Sequence, residues 1–188
     1  MRRETKLTSP PSSTTFPRGV LFDKGVIRRV YERRVRLALN LPPTVLQTEA
    51  ANVYARIVGR TNKLFITEQT FNILTLRTPL FAAPFLADTQ PLLKGRYLRR
   101  WARRLRDAGF SPEDAIVIAY GSFGVSRDRT SVGLDVIVTT DLKMAARYDQ
   151  NFNVIQARFN HMRMNLTPAY AAHRLPQVVT SADVLTKF

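Results

Sequence analysis

Apolar residues along this chain alternate between two spacings. Val20-Leu21-Phe22 is a short continuous run that ends at Asp23. Beyond it Ile27, Val30, Tyr31, Val35 and Ala38 fall on one helical face, with Arg28, Arg29, Arg33 and Arg36 off it. A strand passing into an amphipathic helix opens a βαβ unit. After Pro42-Pro43, Thr44 and Gln47 form the capping-box pair of a helix that should run to Gly59, a residue suited to the C′ position. Leu64-Phe65-Ile66 reads as a second strand, and Thr67 caps a helix through about Arg77 that Thr78-Pro79 stops. Residues 80–93 carry two prolines and no clear period, which predicts loop or short helix.

The second half repeats the alternation. Residues 95–108 (GRYLRRWARRLRDA) place Leu98, Trp101, Ala102 and Leu105 on an apolar stripe ringed by arginines, and Gly109 ends the segment. Ser111-Pro112-Glu113-Asp114 supplies an N-cap, a proline at the first helical position and acids in the first turn, opening an apolar helix over Ala115 to Phe123. Leu134 to Thr140 (LDVIVTT) is β-branched and apolar enough for a strand buried on both faces. It runs into Asp141, a helix is expected near Leu142 to Tyr148, and Gln177 to Thr180 is a candidate last strand.

Composition narrows the partner more than the fold. The chain has 188 residues, with 29 Lys and Arg against 14 Asp and Glu, a formal charge of +15. Such an excess points to a polyanion, with nucleic acid the first expectation. Residues 1–18 are rich in Ser, Thr, Pro and charge and predict a disordered basic arm ahead of one domain over 19–188, with Arg2, Arg3 and Lys6 placed to touch phosphates. There is no cysteine, which removes disulfides, thiolate zinc sites and cysteine nucleophiles. His161 and His173, twelve residues apart, are not ligand spacing on one helix. No apolar run approaches a membrane span and no signal-peptide pattern is seen, so the chain is expected to be soluble, with a cytoplasmic location.

Asp23, Asp114 and Asp141 each sit at a strand end or a helix start. In a parallel sheet with right-handed crossovers, Asp23 and Asp141 lie on the carboxyl edge, and the helix opened by Ser111 returns its N-terminus to that edge. Crowded carboxylates repel unless a cation sits between them, and Mg²⁺ or Mn²⁺ held by such oxygens suits phosphodiester hydrolysis. The competing reading makes Asp23 and Asp141 N-caps and Asp114 a capping-box acid. Asp135 reads as a turn residue, and Asp88, Asp107, Asp128 and Asp149 as solvated charges. Gly121-Ser122-Phe123-Gly124 is not a nucleophile elbow, and no phosphate-cradling glycine loop is present.

The segments VLFDKGVI, LFITEQTFNIL, GFSPEDAIVIAYGSF, LDVIVTTDLKM and PQVVTSADVL together resemble a PIN domain, over about residues 19 to 188. The resemblance implies a three-layer α/β/α sandwich with a central parallel sheet of four or five strands. It also implies a Mg²⁺- or Mn²⁺-dependent ribonuclease whose metal is held by Asp23, Asp114 and Asp141. The family's helical glutamate falls in register at Asn72, leaving Glu68 as the local acid, and both join the candidate catalytic set. Lys24-Gly25 follow Asp23 where the family carries a small hydroxyl or amide pair. Arg99, Arg103 and Arg104 are the candidate phosphate contacts. RNA, an antitoxin-like protein and a second copy of the chain are the partners implied, and the alternative function is a catalytically degraded module that binds RNA or protein without cutting.

Overall fold

The computed structural model describes residues 19–60, 63–171 and 173–187; the expected arm, residues 1–18, lies outside them. In chain order the elements are β1 (Val20–Phe22), α1 (Lys24–Ala38), α2 (Val45–Val58), β2 (Leu64–Thr67), α3 (Glu68–Thr75), α4 (Pro79–Asp88) and β3 (Gln90–Leu92). There follow α5 (Leu98–Arg106), α6 (Pro112–Phe123), β4 (Val136–Thr139), α7 (Leu142–Arg163), α8 (Pro168–Ala171), β5 (Gln177–Thr180) and α9 (Ser181–Lys187). The five strands form one parallel sheet in the order β3-β2-β1-β4-β5. Phe22 is in register with Ile66 on one side and Val138 on the other. The chain winds outward from β1 in one direction and then back to its other flank, so the strand order reverses between β1 and β4.

Both faces of the sheet are covered, which is why its strands read as unbroken apolar runs. Successive side chains point to opposite faces. Leu21, Phe65, Ile137 and Val178 join the buried residues of α5, α6 and α7 in one core, while Val20, Phe22, Leu64, Ile66, Val136 and Val138 join those of α1, α2, α4 and α9 in the other. The result is the α/β/α sandwich.

Local signals place most helix starts. Thr44 Oγ1 accepts the Gln47 amide at 3.3 Å and Gln47 Oε1 accepts the Thr44 amide at 3.0 Å, a complete capping box. Gly109 adopts φ 91°, the left-handed backbone that ends the α5 segment. Gly59 instead stays right-handed, at φ −70°.

Four expectations are corrected. The stretch left as loop or short helix contains α4 and the edge strand β3. Helix α3 ends at Thr75, short of the expected Arg77, Pro79 opens α4 at its first turn, and Pro91 is tolerated because β3 is a sheet edge. The helix after Asp141 runs not to Tyr148 but to Arg163, since Ile155, Phe159 and Met162 continue the buried stripe past polar Asn151 and Asn153. Strand β4 is shorter than the apolar run that marks it, beginning at Val136, because Asp135 and its neighbours belong to the entering loop.

Candidate functional site

Asp23 follows the last residue of β1 and stands at the N-cap position of α1, yet its carboxylate makes no capping hydrogen bond. The carboxylate is turned sideways toward β4. The Asp23 amide donates to the Val138 carbonyl at 3.0 Å, extending the ladder by one residue, and the Thr139 hydroxyl donates to Asp23 Oδ2 at 3.0 Å. Thr139 Oγ1 in turn accepts the Asp141 amide at 3.0 Å. One buried hydroxyl therefore couples the ends of the two strands that meet where the sheet order reverses. Asp23 is only 8% exposed, and burial pushes its carboxyl above the usual carboxylate range, against the opposing pull of the Thr139 hydrogen bond and the Lys24 charge.

Asp141 is the N-cap of α7: its Oδ1 accepts the amides of Lys143 at 2.9 Å and Met144 at 3.0 Å. The two aspartates line one cavity of about 610 Å³ at the carboxyl edge. Gly25 keeps that space open, since a Cβ there would come within 2.6 Å of Thr140 Oγ1 and 3.5 Å of Asp23 Oδ2. Ile73 and Leu74 of α3 and Leu142 of α7 give the cavity an apolar wall, with Thr70 beside them. Lys24, Arg28, Arg29, Arg77 and Lys143 give it cations, which outnumber its two carboxylates.

The other expected residues sit around this centre rather than in it. Asp114 is half-buried in the first turn of α6, where its amide donates to Ser111 Oγ at 3.1 Å. Its neighbour Glu113 takes the Lys24 ammonium at 2.7 Å, joining the start of α6 to the start of α1 across the sheet edge. Glu68 is the first residue of α3, and burial together with the Glu68 charge pushes the Tyr120 phenol up to about 12. Asn72 lies exposed one turn further on. Neither Glu68 nor Asn72 lines the cavity, and among the described residues no group of three or more His, Asp or Glu gathers as a metal-holding set. Arg99 and Arg103 are exposed on α5 in the opposite layer, and Arg104 turns its guanidinium to the Arg158 carbonyl at 3.4 Å.

The role of Thr139 and the cavity cations other than Lys24 were not singled out from sequence. Thr139 carries a signal, because a hydroxyl in an otherwise apolar, doubly buried strand needs a polar partner. The cations carry none, since Arg28, Arg29 and Arg77 read like any solvated helix charge. Replacing Thr139 with valine leaves the Asp23 carboxylate without its hydroxyl donor and the Asp141 amide without its acceptor. The expected loss in urea denaturation is about 1–3 kcal/mol; an unchanged midpoint would show that the coupling stabilises nothing.

Comparison with family models, with curated proteins and with solved structures yields no match for this chain.

Proposed function

We propose that the carboxyl-edge cavity is the active site of a metal-dependent ribonuclease of PIN type. The observation that carries this reading is Asp23: a nearly buried carboxylate at the point where the sheet order reverses, in a cavity otherwise dominated by cations. A carboxylate raised in pKa by burial is poised to be neutralised, by a proton or by a bound cation. Mg²⁺ is commonly held by one or two carboxylates, waters and substrate phosphates, a demand that the hard oxygens of Asp23 and Asp141 fit, with Gly25 leaving room beside them. Such an ion supplies an activated water and neutralises charge on the phosphate undergoing attack.

The chain's own residues supply positioning. Thr139 fixes the Asp23 carboxylate, the capping bonds of Asp141 fix one of its oxygens, and the cationic wall draws the phosphodiester backbone into the cavity. Asp114, in the first turn of α6 and outside the cavity lining, is not among the residues that would hold the ion.

The excess of cations over acids in the cavity favours a second reading, RNA binding without cleavage. One experiment separates the two. Single-stranded RNA is incubated with highly purified protein in Mn²⁺, Mg²⁺ or EDTA, beside Asp141→Asn. Asparagine caps helices as well as aspartate does, so the variant keeps its fold and loses only the charge. Cleavage that needs metal and falls at least about 100-fold in the variant is the expected result. RNA bound but uncut by both proteins would overturn the nuclease reading in favour of the binding module.

A further inference from the structure

Helix α5 breaks several rules of local stability at once. Its N-cap, Tyr97, makes no side-chain cap, and its first turn has no acid but carries Arg99 and Arg100 at the positive end of the helix dipole. Arg99, Arg100, Arg103 and Arg106 are all exposed, and their spacing of three and four residues sets like charges beside one another. Among the described residues none of these four makes an ion pair, and Asp107, which follows them, forms none with them. What holds the helix is its other face, where Leu98, Trp101, Ala102 and Leu105 are buried. Of the four exposed arginines only Arg103 and Arg106, in the last turn, gain from the helix dipole; among the described residues no ion pair offsets the repulsion along the face, which marks a place shaped for a partner rather than for the fold.

We infer that the exposed arginine face of α5 is a separate nucleic-acid backbone-binding surface, gripping phosphates without reading bases. From Arg99 to Arg106 the helix rises about 10 Å, enough for roughly three phosphates along one strand of a duplex. Guanidinium groups suit phosphate oxygens because their donors form a planar fork. The face bears no exposed large hydrophobic residue, so it lacks what insertion into a membrane interface requires. Its placement gives it direction. The five residues 107–111 turn α5 back along α6, so the Arg106 end lies toward the edge where Glu113 meets Lys24, and the Arg99 end leads away from it. A strand laid on α5 therefore runs outward from the carboxyl edge along the opposite layer of the sandwich. This surface does not depend on a metal at Asp23 or on cleavage.

The test is binding in EDTA, where nothing is cut, so its failure is distinct from failure of the nuclease reading. A labelled mixed-sequence RNA about 30 nucleotides long is titrated at salt concentrations from about 50 to 200 mM. The protein is compared with Arg99→Gln/Arg103→Gln/Arg106→Gln and with a control of equal charge loss at exposed positions elsewhere, Arg60→Gln/Lys94→Gln/Arg129→Gln. The α5 variant is expected to bind at least about tenfold more weakly at low salt, with its log–log salt slope shallower by about two, while the control changes far less. Its low-salt melting temperature should hold or rise, because repulsion has been removed, and lysine at the same three positions should retain most of the slope. Unchanged binding by the α5 variant, an equal loss in the control, or a loss accompanied by a lowered melting temperature would overturn the inference. So would binding to phosphatidylserine vesicles with no binding to RNA.

Discussion

Asp23→Asn is expected to move activity and stability in opposite directions. Under the proposed function, metal-dependent cleavage should fall by roughly 10²-fold or more, since the carboxylate proposed to hold the ion loses its charge. The folded protein in EDTA should meanwhile become harder to melt at neutral pH. Burial raises the Asp23 carboxyl in the native state, so between its ordinary pKa and its raised one the folded chain holds a proton that the unfolded chain has released. Stability contributed at this position is therefore greatest at low pH and declines as pH climbs through that window. Asparagine is neutral throughout and still accepts from Thr139. The gain should be present at neutral pH and vanish below about pH 3.9, where the wild-type carboxyl is protonated in both states. Thermal melts at acidic and neutral pH decide the matter. A variant that melts lower at both would make Asp23 a scaffold residue rather than a strained functional one.

Trp101→Ala should be among the most destabilising substitutions in the chain. The indole is fully buried under α5, with ring centroids 5.3 Å from Phe159 and 6.4 Å from Phe123 in edge-on contact. Truncation leaves a cavity between α5, α6 and α7 and should cost about 3–5 kcal/mol in denaturant unfolding. That is a large part of the 5–15 kcal/mol, roughly, that a domain has available. Trp101→Phe should cost far less, because it keeps a ring and also removes an indole N–H that is buried without a partner. A loss under about 1 kcal/mol for alanine would mean that the helix repacks freely and that its burial does not anchor the arginine face.

The fold was legible where one physical signal dominated. Val20-Leu21-Phe22 and the LDVIVTT segment could only be strands buried on both sides, and the Thr44 and Ser111 caps marked helix starts without tertiary context. It was illegible where two signals competed. Pro91 argues against any strand, and only the position of β3 at the sheet edge, a property of the whole sheet, makes proline acceptable there. The asparagines of α7 obscured its length in the same way, because burial of Phe159 and Met162 overrides their weak helix propensity. For the site, topology placed Asp23 and Asp141 on one edge, as strand direction requires. Side-chain direction was beyond such reasoning: Asn72 shares a helix with Ile73 and Leu74, and only the packing of α3 decides that these two face the cavity and Asn72 does not.

The hydrogen bond from Thr139 to Asp23 spans 116 positions of chain. During synthesis β1 exists long before the strand that completes its functional edge. Until β4 has left the ribosome and paired, Asp23 has neither its hydroxyl donor nor the second aspartate beside it, and the cavity has only one of its two carboxylate walls. A truncated or stalled product ending before residue 139 thus carries the basic helices α1 and α5 but none of the assembled edge. The basic surface precedes the carboxylate pair in the order in which this protein is made, so under the proposed function an unfinished chain would hold RNA without being able to cut it.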